Sequence, residues 1–197
     1  MRRQGPGARL KVQETTIRLP GALPLLADAI PRQPDTDTVW RTFETSLGDA
    51  LLLLEEDEFL ILESKRHQHY VQFAGEGHHG MRVEAISNAF IENPDDRLTE
   101  AQHEQIAALG WDGPAENAPR PNAPPGFSVE GNFYVDAAAP VPTAQVAALA
   151  CATLRHVYGL SHPGDLEYRA FRARGGEIRF PSLRLWRIEP LPTEQKE

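Results

Sequence analysis

The chain has 197 residues, 41% of them hydrophobic and 24% charged, enough for one sizeable core. Its formal net charge of -8 supplies no basic field to release counterions from a phosphate backbone, which argues against a nucleic-acid partner. A single cysteine excludes an internal disulfide and a C-x-x-C zinc site, and no apolar run approaches the length of a membrane span.

Residues 1–34 carry Pro6, Pro20, Pro24, Pro31 and Pro34, which forbid a long helix and leave one short strand-like piece at Thr15 to Leu19. This segment reads as an N-terminal arm. The start MRRQGPGARLK has basic residues but no apolar stretch after them, so a cytoplasmic protein is expected.

From Asp37 the period changes. Val39, Trp40, Phe43, Leu47, Ala50, Leu51 and Leu54 recur at three- and four-residue steps, which predicts a helix capped by Thr36 or Asp37. Three short strands follow, at Glu58–Glu63, His69–Ala74 and Met81–Ile86, the last with clean alternation. Their quick succession implies an antiparallel sheet with tight turns. Thr99 with Gln102 spells a capping box opening a helix that Gly110 closes.

The proline-rich segment Gly113 to Gly126 cannot join a sheet. Beyond it Phe127, Val129, Phe133 and Val135 alternate as a strand, with a bulge expected at Gly131. Thr143 opens another helix, whose Val146, Leu149, Ala150, Leu154 and Val157 share a face, and Gly159 with Pro163 stops it. Asp165–Ala173 and Glu177–Phe180 flank Gly175-Gly176, a hairpin signal, and Pro181 confines the last strand to an edge. The expected architecture is one α+β domain over residues 35–190, with a tail at 191–197. An antiparallel sheet carries helices on one face in the order α-β-β-β-α-β-α, plus a C-terminal β-hairpin.

The stretch Gly75 to Gly80 matches G-x-G-x-x-G, a spelling used by phosphate-binding loops. Such a loop must open a helix whose N-terminus holds the pyrophosphate, yet Met81–Ile86 has period two. A hairpin turn with glycines at positive φ is therefore expected. His67, His69, His78 and His79 are dense enough to raise a metal site, but His78 and His79 lie a strand length from His69. A pair from His67 and His69 would need Glu63 or Glu84 as a third ligand, so the histidines are expected to be exposed strand-end and turn residues without a metal. No serine sits in a G-x-S-x-G elbow, and Cys151 falls in the apolar pattern of a helix, where a buried hydrophobe is expected. No cofactor is expected.

The phrases Tyr70-Val-Gln-Phe-Ala, Arg82-Val-Glu-Ala-Ile-Ser-Asn-Ala-Phe90, Leu109-Gly-Trp111 with Pro114, Gly131-Asn-Phe133, Thr153-Leu-Arg-His-Val-Tyr-Gly159 and Leu166-Glu-Tyr-Arg-Ala-Phe171 resemble one known family. It is that of the actinobacterial chaperone-like domains grouped with type III secretion chaperones and YbjN-like proteins. The resemblance spans about residues 36 to 173. It implies a non-enzymatic protein that binds a peptide segment or partner protein, often as a homodimer, in assembly or secretion. It supplies no catalytic residues.

An antiparallel sheet covered by helices on one face leaves the other open to an extended peptide. Met81, Val83 and Ala85 would face the helices, as would Val71 and Phe73. Tyr70, Gln72, Arg82, Glu84 and Ile86 would face outward and are the expected contact surface. Two rival readings are a metal-dependent hydrolase built on the His-rich hairpin and a purely structural dimerisation module.

Overall fold

The structure, a computed structural model, describes residues 36–114 and 131–188. The N-terminal arm with its Thr15–Leu19 strand, most of the proline-rich loop, residues 127–130 of the next expected strand and the 191–197 tail lie outside the described residues. The described residues fall within one unit, Gln33–Glu197.

The stripe after Thr36 forms helix α1, Thr36–Leu51, with Trp40, Phe43, Leu47, Ala50 and Leu51 buried along one side. Asp37 lies in its first turn, where a carboxylate suits the helix dipole, and also bonds Arg155 of a later helix. Strands β1 (Glu58–Ser64), β2 (Tyr70–Gly75) and β3 (Gly80–Ala85) follow. Helix α2 (Glu100–Ala108) opens on the expected capping box: Gln102 N donates to Thr99 Oγ1 at 3.3 Å, and Thr99 N donates to Gln102 Oε1 at 2.9 Å. The same Gln102 donates from Nε2 to Val157 O at 2.6 Å, so the cap also ties α2 to the end of the last helix.

Strand β4 runs Phe133–Ala138, later than the sequence pattern suggests. Helix α3 (Thr143–Ala152) continues into a π-helical segment, Thr153–Val157. Thr153 Oγ1 donates to Leu149 O at 2.9 Å and accepts from Trp111 Nε1 at 2.9 Å, which pins the turn after α2 to this wider segment. Gly159 at φ +71 then turns the chain out.

Strands β5 (Leu166–Arg172) and β6 (Trp186–Arg187) complete a six-stranded sheet in the order β4-β3-β2-β1-β5-β6. The first five strands pair antiparallel, but β6 pairs parallel with β5. The sheet is therefore mixed, and the expected C-terminal hairpin is reduced to one bridge, Phe171 to Glu177. The turn itself forms, with Gly175 and Gly176 at φ +86 and +114. After it Phe180 and Leu183 bury in the core and Phe180 N donates to Tyr168 Oη at 3.2 Å, so the chain leaves the hairpin for the interior. Pro181 has no N–H to continue a ladder, and the chain returns as β6 beside β5.

Strands β1 to β5 each give one face to a common core. Leu60 and Leu62, Val71 and Phe73, Val83 and Ala85, Phe133, and Leu166 and Ala170 pack with the buried stripes of α1 and α3. A charged pair, Glu58 and Arg172, shares the end of that face. Glu58, 3% exposed, accepts from Glu55 N at 2.9 Å and pairs with Arg172 Nε at 2.9 Å. Replacing Glu58 with Ala leaves the Glu55 N–H and the Arg172 guanidinium without their carboxylate, so we expect a stability loss of about 1–3 kcal/mol, read as a lower urea midpoint at unchanged slope.

Candidate functional site

The glycine-rich stretch between β2 and β3 forms a single 3-10 turn, Gly77–His79, and Gly80 opens a strand. Among the described residues no α-helix begins from this stretch, so it lacks the helix N-terminus that such a phosphate site needs. Its glycines serve close approach: a Cβ on Gly75 would stand 2.0 Å from Glu55 O, and one on Gly80 2.0 Å from Ala137 O. His78 and His79 are exposed at the tip with their rings 3.8 Å apart.

His67 and His69 depart from the expected exposed pair. His67 is exposed, but its Nδ1 lies 2.7 Å from Asp96 Oδ1. His69 is buried, its Nε2 donates to Asp96 O at 2.7 Å, and its ring stacks on Tyr158 at 4.6 Å and 14°. Burial lowers the pKa of His69 despite the Asp96 carbonyl and charge, while the His67 bond holds Asp96 below the ordinary carboxylate value. These residues clamp the β1–β2 turn to the loop before α2. Among the described residues no group of three or more His, Cys, Asp or Glu is placed to hold a metal ion. Cys151 is buried, and burial pushes its thiol up to about 12, the opposite of an activated nucleophile.

The sheet face away from α1 and α3 carries the other half of each strand in three rows. Trp186, Glu167, Glu63 and Tyr70 stand side by side on β6, β5, β1 and β2. Arg169, Ile61, Gln72, Glu84 and Tyr134 form the next row. Phe171, Phe59, Ala74, Arg82 and Asp136 form the third. Four of the five expected contact residues, Tyr70, Gln72, Arg82 and Glu84, thus share this face and are half-buried there.

The fifth, Ile86, does not join them: it is 2% exposed. Ile86 N still donates to Tyr70 O at 3.2 Å, but β3 ends at Ala85, and beside the turn that follows, where Phe90 N donates to Ser87 O at 3.1 Å, Ile86 is buried. It instead lines a cavity of about 250 Å³ with Tyr70 and Phe90. Arg82 is anchored within the face, 3.6 Å from Glu84, 3.5 Å from Asp136 and 4.6 Å above the Tyr134 ring.

The apolar centre of the face is one strand over from the expected surface. Phe59 and Phe171 stack at 5.2 Å on β1 and β5, beside Ile61. The sequence signal was the alternation of Phe59, Ile61 and Glu63, hidden because Leu60 and Leu62 make the segment read as one fully buried run. At the β4 edge, Tyr134 exchanges both backbone bonds with Asp112, at 3.0 and 3.3 Å. Alternation points the peptide groups of Asp136 and Ala138 the same way, outward along the edge.

No helix of the described residues is long and apolar enough to cross a membrane. Neither the curated proteins nor the solved structures contain a match to the chain. A family model does match, over residues 33–172, more than half of the chain. It describes the T3SS (YopN, CesT) and YbjN peptide-binding chaperone 3, and its span takes in all three helices and β1 to β5. An α+β sheet backed by helices on one face, with no helix of the described residues on the other, agrees with that description, and the chain belongs to the TY-Chap3 family of peptide-binding chaperones.

Proposed function

We propose that the sheet face opposite α1 and α3 holds an extended segment of a client protein, and that the protein performs no covalent chemistry on it. The observation that carries this reading is the half-buried apolar patch of Phe59, Ile61 and Phe171, set among polar groups on a face that neither α1 nor α3 covers. Tyr70 and Gln72 stand beside the patch on β2, Arg82 and Glu84 lie one strand further on β3, and together they supply hydrogen bonds and charge to the flank of the bound segment. The wider reading is a cytoplasmic protein, able to pair as a homodimer, that keeps a client competent for assembly or secretion.

A displayed library of random dodecapeptides selected on the full chain tests it. We expect enriched peptides whose capture falls about tenfold or more in the double variant Phe59→Ser/Ile61→Ser, a loss of roughly 1.4 kcal/mol or more in binding. Undiminished capture by a variant with an unchanged circular dichroism spectrum removes the open face from the site.

A further inference from the structure

The row Trp186, Glu167, Glu63, Tyr70 crosses four strands and runs between two cavities. The larger, about 690 Å³, lies at the β6 end and is lined by Glu167, Arg169, Arg179, Trp186 and Arg187 among others. Its guanidiniums are engaged. Arg169 binds Glu63 through two contacts, at 2.7 and 2.8 Å, and Arg187 and Arg179 share Glu177 at 3.0 and 3.5 Å. Glu167 is different: among the described residues it has no ion-pair partner.

Glu167 also stands directly opposite Glu63 across β1 and β5, and like charges in that position destabilise a sheet. Its neighbour on the other side is Trp186, 73% exposed, whereas Trp40 and Trp111 are 3% and 4% exposed. An open indole face beside a carboxylate without a counter-charge suits an ammonium or guanidinium, which meets the ring quadrupole and the charge together. At the other end of the row, Tyr70, Ile86 and Phe90 give the smaller cavity one apolar wall, and polar groups including Glu63 and His67 line the rest.

Resting on the peptide-binding reading above, we propose that the client segment is a cationic and apolar one. A Lys or Arg lies over Trp186 and against Glu167, and a bulky apolar side chain enters the cavity beside Tyr70, Ile86 and Phe90. From β6 to β2 is three strand spacings, about 14 Å, which an extended chain covers in about four residues. The segment therefore crosses the strands, with its two anchors four positions apart. On this row the sheet presents two carboxylates, Glu63 and Glu167; Arg169 of the neighbouring row binds Glu63, and Arg179 and Arg187 both bind Glu177, so none of the three guanidiniums pairs with Glu167.

The dodecapeptide selection separates the outcomes. Enriched sequences should carry Lys or Arg four positions from Phe, Leu, Ile, Met or Trp. A synthetic peptide of that sequence should shield Trp186, the one exposed tryptophan, from acrylamide quenching. Glu167→Gln and Trp186→Ala, each at an exposed or half-exposed position, should each weaken that peptide about tenfold in low salt. Replacing the peptide's basic residue with Glu should do the same or worse. Enriched peptides without a basic residue, or full affinity in both variants, overturn the cationic assignment and leave peptide binding standing. A selection that enriches nothing overturns both.

Discussion

Gly80→Ala is expected to leave little folded protein. The residue sits at φ +120, a backbone conformation that side chains rarely adopt, and a Cβ there would lie 2.0 Å from Ala137 O and 3.0 Å from Ala138 Cα. Neither neighbour is free to retreat, because Ala137 and Ala138 are held in register against Met81 and Gly80 by the β3–β4 ladder. Relief requires opening the start of that ladder, which we place at roughly 4 kcal/mol or more, a large part of a domain's whole stability. Gly75→Ala carries the same clash against Glu55 O at ordinary φ, and it also disturbs the bond from Asp57 N to Gly75 O at 3.1 Å. Gly48→Ala is the control: its Cβ would meet Ala144 Cα at 3.7 Å, ordinary contact, and gains up to about 1 kcal/mol of helix propensity. Soluble yield and urea midpoint distinguish the three. A Gly80→Ala protein with a midpoint close to that of Gly48→Ala would show that the turn glycines are not held by their neighbours.

That contrast shows why part of the fold was legible in the sequence. Helix α1 announces itself because its buried side is one stripe, and β3 because Met81, Val83 and Ala85 alternate with polar Arg82 and Glu84. The capping box at Thr99 is local chemistry and survives unchanged. What local pattern cannot carry is where a chain goes once it leaves an element. Ile86 continues the alternation of β3 in sequence, but the strand has ended and the residue is buried. Phe180 and Leu183 draw the last segment into the core, and a two-residue parallel strand then follows where a hairpin arm was expected. The open face suffers from the same limit. Its polar rim on β2 and β3 is visible as alternation, while its apolar centre on β1 is masked by Leu60 and Leu62 on the opposite side of the same strand. Trp186 carries no pattern at all, because β6 is too short to have one.

His69 is the second position where a large loss is expected, and its dependence on pH is specific. Its Nε2 donates to Asp96 O, which fixes the neutral tautomer with Nδ1 unprotonated, and among the described residues that buried Nδ1 has no partner. A second proton would therefore be a buried charge on an atom with nothing to receive its N–H. Asp96 and His67 are the ionisable groups beside it, with the Tyr158 ring stacked against it. Burial holds the folded pKa of His69 below its unfolded value of 6.5, so the unfolded chain takes up the proton first. Stability is then fully present above about pH 6.5 and falls as the pH drops below it, toward the folded pKa. His156, lowered by burial and by Arg155, adds a slope of the same sign, and Asp96 adds a separate loss below its unfolded value of 3.8. His69→Ala removes a stacked buried ring and leaves the Asp96 carbonyl without its donor, at a cost of about 2–4 kcal/mol at pH 7.5. Measured by urea midpoints from pH 8 to 5, the parent should lose stability below about 6.5, and His69→Ala should start lower with a shallower slope. His156→Gln, at an exposed position, should keep most of the parent's stability and most of its slope. A His69→Ala chain that keeps the full acid slope would move its origin away from this clamp.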